Sequence, residues 1–425
     1  MLKTVDETLN YIHSYFWKGS IPGLSRTREL LERMGNPHEK LKFVHIAGTN
    51  GKGSTASMLA SVFTAAGYTT GLYTSPFINC FNERMQVSGQ MIDDSELIDI
   101  VNFVKPHAEA MEDHATEFEL VTAIGMEYFA RHQCDIVILE VGMGGELDST
   151  NVISTPELAV ICTIGLDHTD VLGSTLEEIA AAKAGIIKGG DAVLYRCGES
   201  VEAVFEEKCA QTGTRLHKAD FDSIRPISRS FEGQSFDCSQ RKNIEISLLG
   251  EHQLRNASVV LRSVDVLREK GWQITEEQLR HGLKTTAWPG RFELLRKDPV
   301  FIVDGGHNPQ CMAALAENIV SFLPDCPITA LTGVMADKDF SDMYRLVAPH
   351  ITRFVTVTPD NPRAMKAEAL AEVLAVYGKP VIPCDTVAQG VQTAIDLTET
   401  QGAVLAFGSL YMLGDIRSAV SRLSR

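Results

Sequence analysis

Gly48-Thr49-Asn50-Gly51-Lys52-Gly53-Ser54-Thr55 packs glycines, a lysine and hydroxyls into one short run. Closely spaced glycines let backbone N–H groups turn inward around a phosphate. A helix starting just after them adds partial positive charge. Lys52 adds a full charge, and Ser54 and Thr55 add hydroxyls. The run departs from the GxxxxGK[ST] spacing, because Ile46 stands at the first glycine and Gly53 follows the lysine. The mechanics rather than the pattern therefore point to a nucleotide phosphate. The plainer alternative is a glycine turn with a solvated lysine.

Nucleotide phosphates are ordinarily handled with Mg²⁺ and oxygen ligands. Ile136–Glu140 (IVILE) is an apolar strand ending in a carboxylate. Gly142-Met143-Gly144-Gly145 follows, then Asp148, Ser149, Thr150 and Asn151. Polar residues at the C-terminal end of a parallel strand stand where α/β sheets place ligands. Glu140 is otherwise a surface strand end. Asp167-His168 follows another strand end, and a histidine there is on composition alone as readily structural as functional.

The elements that must position these residues alternate between strand and helix. Leu41–Gly48, Tyr68–Tyr73, Asp135–Val141 and Leu158–Ile164 read as buried strands, and Gly53–Ala66, Leu97–Glu112 and Phe118–His132 as helices. Thr175–Ile187 reads as a helix with Thr175 as N-cap and Glu178 three residues on. Glu199–Asn243 is polar with weak strand patterning, an insertion or an antiparallel subdomain. His252–Lys270 and Glu276–Lys284 return to helix. After Trp288-Pro289-Gly290-Arg291 the rhythm restarts, with strands at Val300–Val303, Ile328–Gly333, Phe354–Val357, Pro380–Pro383 and Ala403–Phe407. The expected fold class is α/β: a P-loop domain with a mostly parallel sheet over 1–287, a linker at 288–296, and a smaller α/β domain over 297–425.

Composition narrows the partners. The chain has 425 residues, 44% of them hydrophobic and 22% charged, which suits a soluble globular chain. Lys and Arg number 39 against 55 Asp and Glu, a net charge of −16, which argues against a general nucleic-acid or membrane binder. No apolar run approaches the roughly 18 residues of a membrane span, and Met1–Gly19 lacks a signal-peptide apolar core. Nine cysteines, an odd count without a CxxC pair, fit reduced thiols in the cytoplasm.

The longer motifs then become specific. HIAGTNGKGST, TSPFINCFNERMQVSG (Thr74–Gly89), TEFEL (Thr116–Leu120), EVGMGGELDSTNV (Glu140–Val152), LDH and KAGIIK (Leu166–His168, Lys183–Lys188), WPGRFE (Trp288–Glu293), DGGHNP (Asp304–Pro309) and GSLY (Gly408–Tyr411) resemble, in that order, the folylpolyglutamate synthase family. That family lies within the Mur-ligase group of ATP-dependent amide-forming enzymes, and bacterial members often act also as dihydrofolate synthase. The resemblance spans nearly the whole chain. It implies a central Mur-ligase type of first domain. It also implies a reaction in which ATP phosphorylates a folate carboxylate and the amino group of L-glutamate attacks the acyl phosphate.

The resemblance also implies residue roles. Thr49, Asn50, Gly51, Lys52, Gly53, Ser54 and Thr55 would surround the ATP phosphates, with Asn256 and Arg291 as further ATP contacts. Ser75, Glu140 and His168 would hold Mg²⁺, as a pair of ions, together with Lys183 as a carbamylated lysine. Without the resemblance Lys183 is an ordinary helix lysine. Asp304 and His307 would act near the acyl phosphate and ATP from the second domain. Ser75, Phe77, Phe81, Arg84, Asp148, Asn151 and Ser409 would meet the folate or dihydropteroate and L-glutamate. Phe77 and Phe81 are suited to stacking on a flat ring, or equally to core packing. Arg84 suits a carboxylate, or a surface ion pair. Gly306 stands where alanine is frequent in the family motif. A monomer acting on small molecules is the implied state, with no nucleic acid or membrane.

Other classes fit less well. A cell-wall Mur ligase carries an N-terminal nucleotide-sugar domain, and the residues before Gly48 fall short of the roughly 50 that a domain needs. A GTPase switch needs an NKxD-type guanine motif, which is lacking.

Overall fold

The computed structural model describes residues 1–19, 21–336, 340–399 and 401–423. The chain divides into two compact units. The first comprises Met1–Arg225, Asp237–Ile244 and Arg255–Thr286. The second comprises Pro226–Phe236, Glu245–Leu254 and the chain from Ala287 onward. Two short segments before residue 287 thus group with the second unit.

Unit 1 is built on eight strands: β1 (Phe43–Ala47), β2 (Thr70–Tyr73), β3 (Met85–Val87), β4 (Gln90–Met91), β5 (Ile136–Glu140), β6 (Leu158–Ile161), β7 (Asp191–Leu194) and β8 (Arg215–Lys218). Their order is β4-β3-β2-β5-β1-β6-β7-β8. From β2 to β8 every pairing is parallel, and the β3–β4 hairpin adds antiparallel strands at one edge. The residues of β1, β2, β5, β6 and β7 are buried throughout. Helices on both faces leave a parallel strand no solvated side, which is why these strands read as continuous apolar runs.

Residues 225–246 form a small sheet of β9 (Arg225–Ser230), β10 (Gly233–Cys238) and β11 (Arg241–Ile246). With the helix Glu199–Thr212 and β8, it fills the stretch that sequence pattern left unread. Unit 2 holds β12 (Glu293–Lys297), β13 (Val300–Val303), β14 (Ile328–Thr332), β15 (Arg353–Thr356), β16 (Val381–Pro383) and β17 (Ala403–Phe407), in the order β12-β13-β17-β14-β15-β16. Only β12 runs antiparallel. Its core gathers Phe292, Ile302, Met312, Tyr344, Phe354 and Phe407.

The expected helix start at Thr175 is present. Its hydroxyl accepts the Glu178 N–H at 3.2 Å, and the Glu178 carboxylate accepts the Thr175 N–H at 3.1 Å. The N-terminal helices Val5–His13 and Ser25–Arg33 carried no expectation from sequence. All nine cysteines are free thiols. Among the described residues no helix is long and apolar enough to cross a membrane.

One polar residue lies inside the first sheet. His45, on β1, is fully buried, and burial first, then the charge of Lys188, pushes its imidazole down to about 3. Unfolded, the ring titrates near roughly 6.5. A folded value below the unfolded one means stability is complete above about pH 6.5 and is lost as pH falls toward 3. His45→Gln removes this titration. Its unfolding free energy should therefore fall less steeply than wild type between pH 6.5 and 4 in denaturant titrations; parallel slopes would contradict this.

Candidate active site

In unit 1 the candidate residues collect at the C-terminal ends of β1, β2, β5 and β6. The registers Ile46–Glu140 and Ala47–Ile161 place the exits of β1, β5 and β6 side by side. Gly51 has φ +82°, and a Cβ there would stand 2.8 Å from the Asn256 carboxamide oxygen. Glycine is required on both counts. The same contact brings Asn256, on the helix Glu251–Glu269, to the phosphate loop. The helix Lys52–Ala65 begins directly after Gly51, so its N-terminal dipole end faces the loop.

The loop is braced before any ligand arrives. The Thr49 hydroxyl donates to Gly165 O at 3.0 Å and accepts the Gly165 N–H at 3.1 Å. The Thr163 hydroxyl donates to Asn50 O at 3.1 Å. Thr49 thus ties the loop to the segment after β6, while Lys52 folds its ammonium over Gly48 O and Thr49 O at 3.0 and 3.2 Å. Ser54 and Thr55 are buried in the first helical turn.

Glu140 closes β5, buried, with one carboxylate oxygen 3.2 Å from the Ser75 N–H. Lys183 is buried at the end of the helix Leu176–Ala184. Burial, then the charge of Lys52, pushes its ammonium down to about 7, with Asp167 and Asp148 pulling the other way. Lys52, Lys183 and Asp167 therefore share one field. His168 is exposed, in the left-handed region at φ 51°, and its N–H donates to Asp167 at 3.0 Å. Asp148 and Asn151 are buried in the turn after β5. Asp148 accepts the Met143 and Thr150 N–H groups, and Asn151 donates to Glu146 O and Gly185 O. Burial, only partly offset by these donors, pushes the Asp148 carboxyl up.

Among the described residues no three His, Cys, Asp or Glu side chains stand together as a metal site. Glu140 offers a carboxylate, and Ser75, whose N–H it meets, carries a hydroxyl. That set fits Mg²⁺ in its usual role, held by one or two protein oxygens with phosphates and water completing the shell.

The loop from Phe77 to Arg84 is organised by Glu83. Its carboxylate accepts the Ile78 and Asn79 N–H groups at 2.7 and 2.9 Å and the Asn79 carboxamide at 2.8 Å. The Arg84 guanidinium lies 5.3 Å from the Phe77 ring centre and 5.6 Å from that of Phe81. Phe81 belongs to the core, Phe77 is half-buried against it, and Arg84 Nε is buried with no hydrogen-bond partner. Both rings thus flank a cation, so Arg84 is held in place by stacking as well as by its stem.

In unit 2, Asp304 follows β13 and Ser409 follows the adjacent β17. The Asp304 carboxylate accepts the Gly306 N–H at 2.7 Å and the Phe292 N–H at 2.9 Å. Burial pushes this carboxyl up, and the Arg291 guanidinium opposes the shift. His307 donates from Nδ1 to Gly305 O at 2.9 Å. The Gly305 N–H reaches Gly290 O at 2.8 Å, and Ser409 caps its own turn by accepting the Tyr411 N–H at 3.2 Å. Asp304, His307, Arg291 and Ser409 thus form one corner of this unit.

Sequence reasoning missed the braces: Thr163, Glu83 and the buried His45. The spacing of Glu83 behind three loop N–H groups is a signal that could have found it. The other two pair across distant segments and leave no local trace.

Comparison with known proteins follows the same division. Residues 46–264 match the model of the Mur ligase middle domain, and residues 290–410 that of the Mur ligase glutamate ligase domain. The chain is 36% identical to the dihydrofolate synthase/folylpolyglutamate synthase of Bacillus subtilis, over 98% of this chain and 99% of that one. It is 37% identical to the folylpolyglutamate synthase of Lacticaseibacillus casei, over 84% and 86%. The solved Mycobacterium tuberculosis folylpolyglutamate synthase, complexed with ADP and AMPPCP, superposes with a TM-score of 0.90 at 28% identity, covering 98% of this chain and 99% of that one. E. coli FolC in complex with DHPP and ADP gives 0.88 at 26%, covering 100% and 99%.

Proposed function

Because the chain belongs to the Mur ligase family, in its folylpolyglutamate synthase and dihydrofolate synthase branch, we infer that it is an ATP-dependent ligase joining L-glutamate to the glutamate carboxylate of a folate. The observation that carries this reading is the braced phosphate loop whose Lys52 shares a field with buried Lys183, beside Glu140 at the end of the next strand. Dihydropteroate is the second acceptor acid, joined to L-glutamate by the same steps. The nine free thiols suit a reducing cytoplasm.

A carboxylate is a poor electrophile. Its oxygen attacks the γ-phosphorus of ATP, the bond to the bridging oxygen breaks, and ADP leaves an acyl phosphate behind. The amine of L-glutamate, having shed its proton, adds to the acyl carbon. The tetrahedral intermediate expels phosphate and leaves the amide. Lys52 and the loop N–H groups neutralise and hold the β- and γ-phosphates, so that two anions can approach. Glu140 and Ser75 would hold Mg²⁺, with His168 and a carbamylated Lys183 completing the protein's share, and the ion would supply further charge neutralisation at the phosphates. Lys183 suits carbamylation because CO₂ adds to a neutral amine, releasing a proton, and burial already favours that form. Asn256 and Arg291 contact ATP. Arg84 and Phe77 engage the folate, Phe81 backs them from the core rather than stacking on the ligand as expected from sequence, and Asp148 and Asn151 shape that side of the site. Asp304 and His307 serve the acyl-phosphate step, and Ser409 meets the substrates.

Purified protein should release ADP only when ATP, a folate acid and L-glutamate are all present. Equal ADP release without either acceptor would overturn the reading. Radiolabelled glutamate offered with dihydropteroate and tetrahydrofolate in one assay then ranks the two acids.

A further inference from the structure

His45, in the strand that delivers the phosphate loop, has no part in the chemistry above. Its Nε2 lies 2.9 Å from the Thr150 hydroxyl, which lies 2.5 Å from Asp148 Oδ1. His45 and Thr150 are wholly buried and Asp148 nearly so. A hydroxyl has one proton to give, and a carboxylate only accepts. The Thr150 proton therefore points at Asp148, and the hydroxyl accepts from His45. The ring must carry its proton on Nε2, leaving Nδ1 bare, and Nδ1 is indeed buried with no hydrogen-bond partner.

At the other end of this relay Asp148 Oδ2 accepts the Met143 N–H at 2.9 Å, inside the glycine turn that follows Glu140. The far side of that turn lies against the helix end bearing Lys183. A Cβ on Gly145 would stand 2.9 Å from Lys183 O and 3.0 Å from Lys183 Cα. The Glu146 N–H donates to Ala182 O at 2.9 Å. Asn151 and Lys188 clasp the same two segments, Asn151 through Gly185 O at 3.2 Å and Lys188 through Asn151 O at 2.9 Å. The turn and the helix end bearing Lys183 are thus packed backbone against backbone.

We propose that His45 is a positioning residue: through Thr150 it holds Asp148 and the Gly142–Gly145 turn in the arrangement that seats Lys183. This rests on the ligase reading above, and His45 acts only through the groups it holds.

The test begins with wild type, which must show ADP release dependent on folate and glutamate; without that, the ligase reading fails instead. Thr150→Val removes the relay hydroxyl at nearly constant shape, and Thr150→Ser keeps it. The valine variant should lose about tenfold in kcat with KM for ATP within about twofold, while the serine variant stays within about twofold of wild type in both. His45→Gln, which still offers an N–H at the Nε2 position, should keep most of the activity that His45→Leu loses. The His45→Leu/Thr150→Val double variant should be no slower than either single one. Wild-type kcat in Thr150→Val, or losses that multiply in the double variant, would overturn the proposal. Should Thr150→Val fold poorly, the glutamine and leucine variants at position 45, assayed below their unfolding midpoints, decide it: equal kcat in the two also overturns it.

Discussion

Replacing Lys183 with alanine is expected to lower kcat by roughly 10²–10³-fold, the usual cost of removing one electrostatic partner from a reacting charge, without unfolding the protein. Lys183 is buried beside the charge of Lys52, and that surrounding makes its ammonium costly. Burial outweighs the opposing pull of Asp167 and Asp148, so the charged group weakens the fold rather than supporting it. Lys183→Met, which keeps the volume, should therefore unfold no more readily than wild type in a thermal melt and should be as inactive as the alanine variant. If a carbamate on Lys183 supplies an oxygen ligand, acetate or formate should restore part of the activity to the alanine variant, whose cavity can admit them. Full activity in both variants would remove Lys183 from the chemistry.

Asp304→Asn should cost about 10²-fold in kcat with a small change in KM for ATP. The carboxylate holds two backbone N–H groups, from Gly306 and Phe292, and stands near Arg291. Asp304→Ala leaves both donors unsatisfied, which costs about 1–3 kcal/mol of stability for each buried group. The alanine variant should thus melt earlier than the asparagine variant while losing a similar share of turnover. Steady-state kinetics beside thermal melts separate the two effects. Near-normal turnover of a folded Asp304→Asn protein would show that unit 2 contributes nothing to the chemical step through this residue.

Much of the architecture was legible because strands buried on both faces leave continuous apolar runs. Val300–Val303 and Ala403–Phe407 were read to the residue, and Phe43–Ala47 and Ile136–Glu140 to within two residues at either end. The 199–243 stretch was not legible. β9 is exposed along its whole length and β8 buries one residue in four, so neither strand writes an apolar pattern. The amphipathic helices Val5–His13 and Ser25–Arg33 were passed over, although Thr4 caps the first of them.

At the site, the phosphate loop announced itself because its chemistry is local and backbone-driven. Roles that rest on distant pairing were invisible, as with His45 against Thr150 or Thr49 against Gly165. Phe77 and Phe81 show a different limit. Aromatic residues in a loop suggest a stacked ligand, yet Arg84 lies over both rings, and only the folded chain decides which partner a ring takes.

The meeting of Gly51 with the Asn256 carboxamide bears on how the phosphate loop could be redesigned. Any side chain placed at 51 must dislodge residue 256, and a smaller residue at 256 alone would leave a hollow beside the loop. The space at 51 is thus set by a residue some two hundred positions away in the chain. A smaller residue at 256 would free the space at 51 but not relieve the positive φ, so glycine stays required there whatever stands opposite.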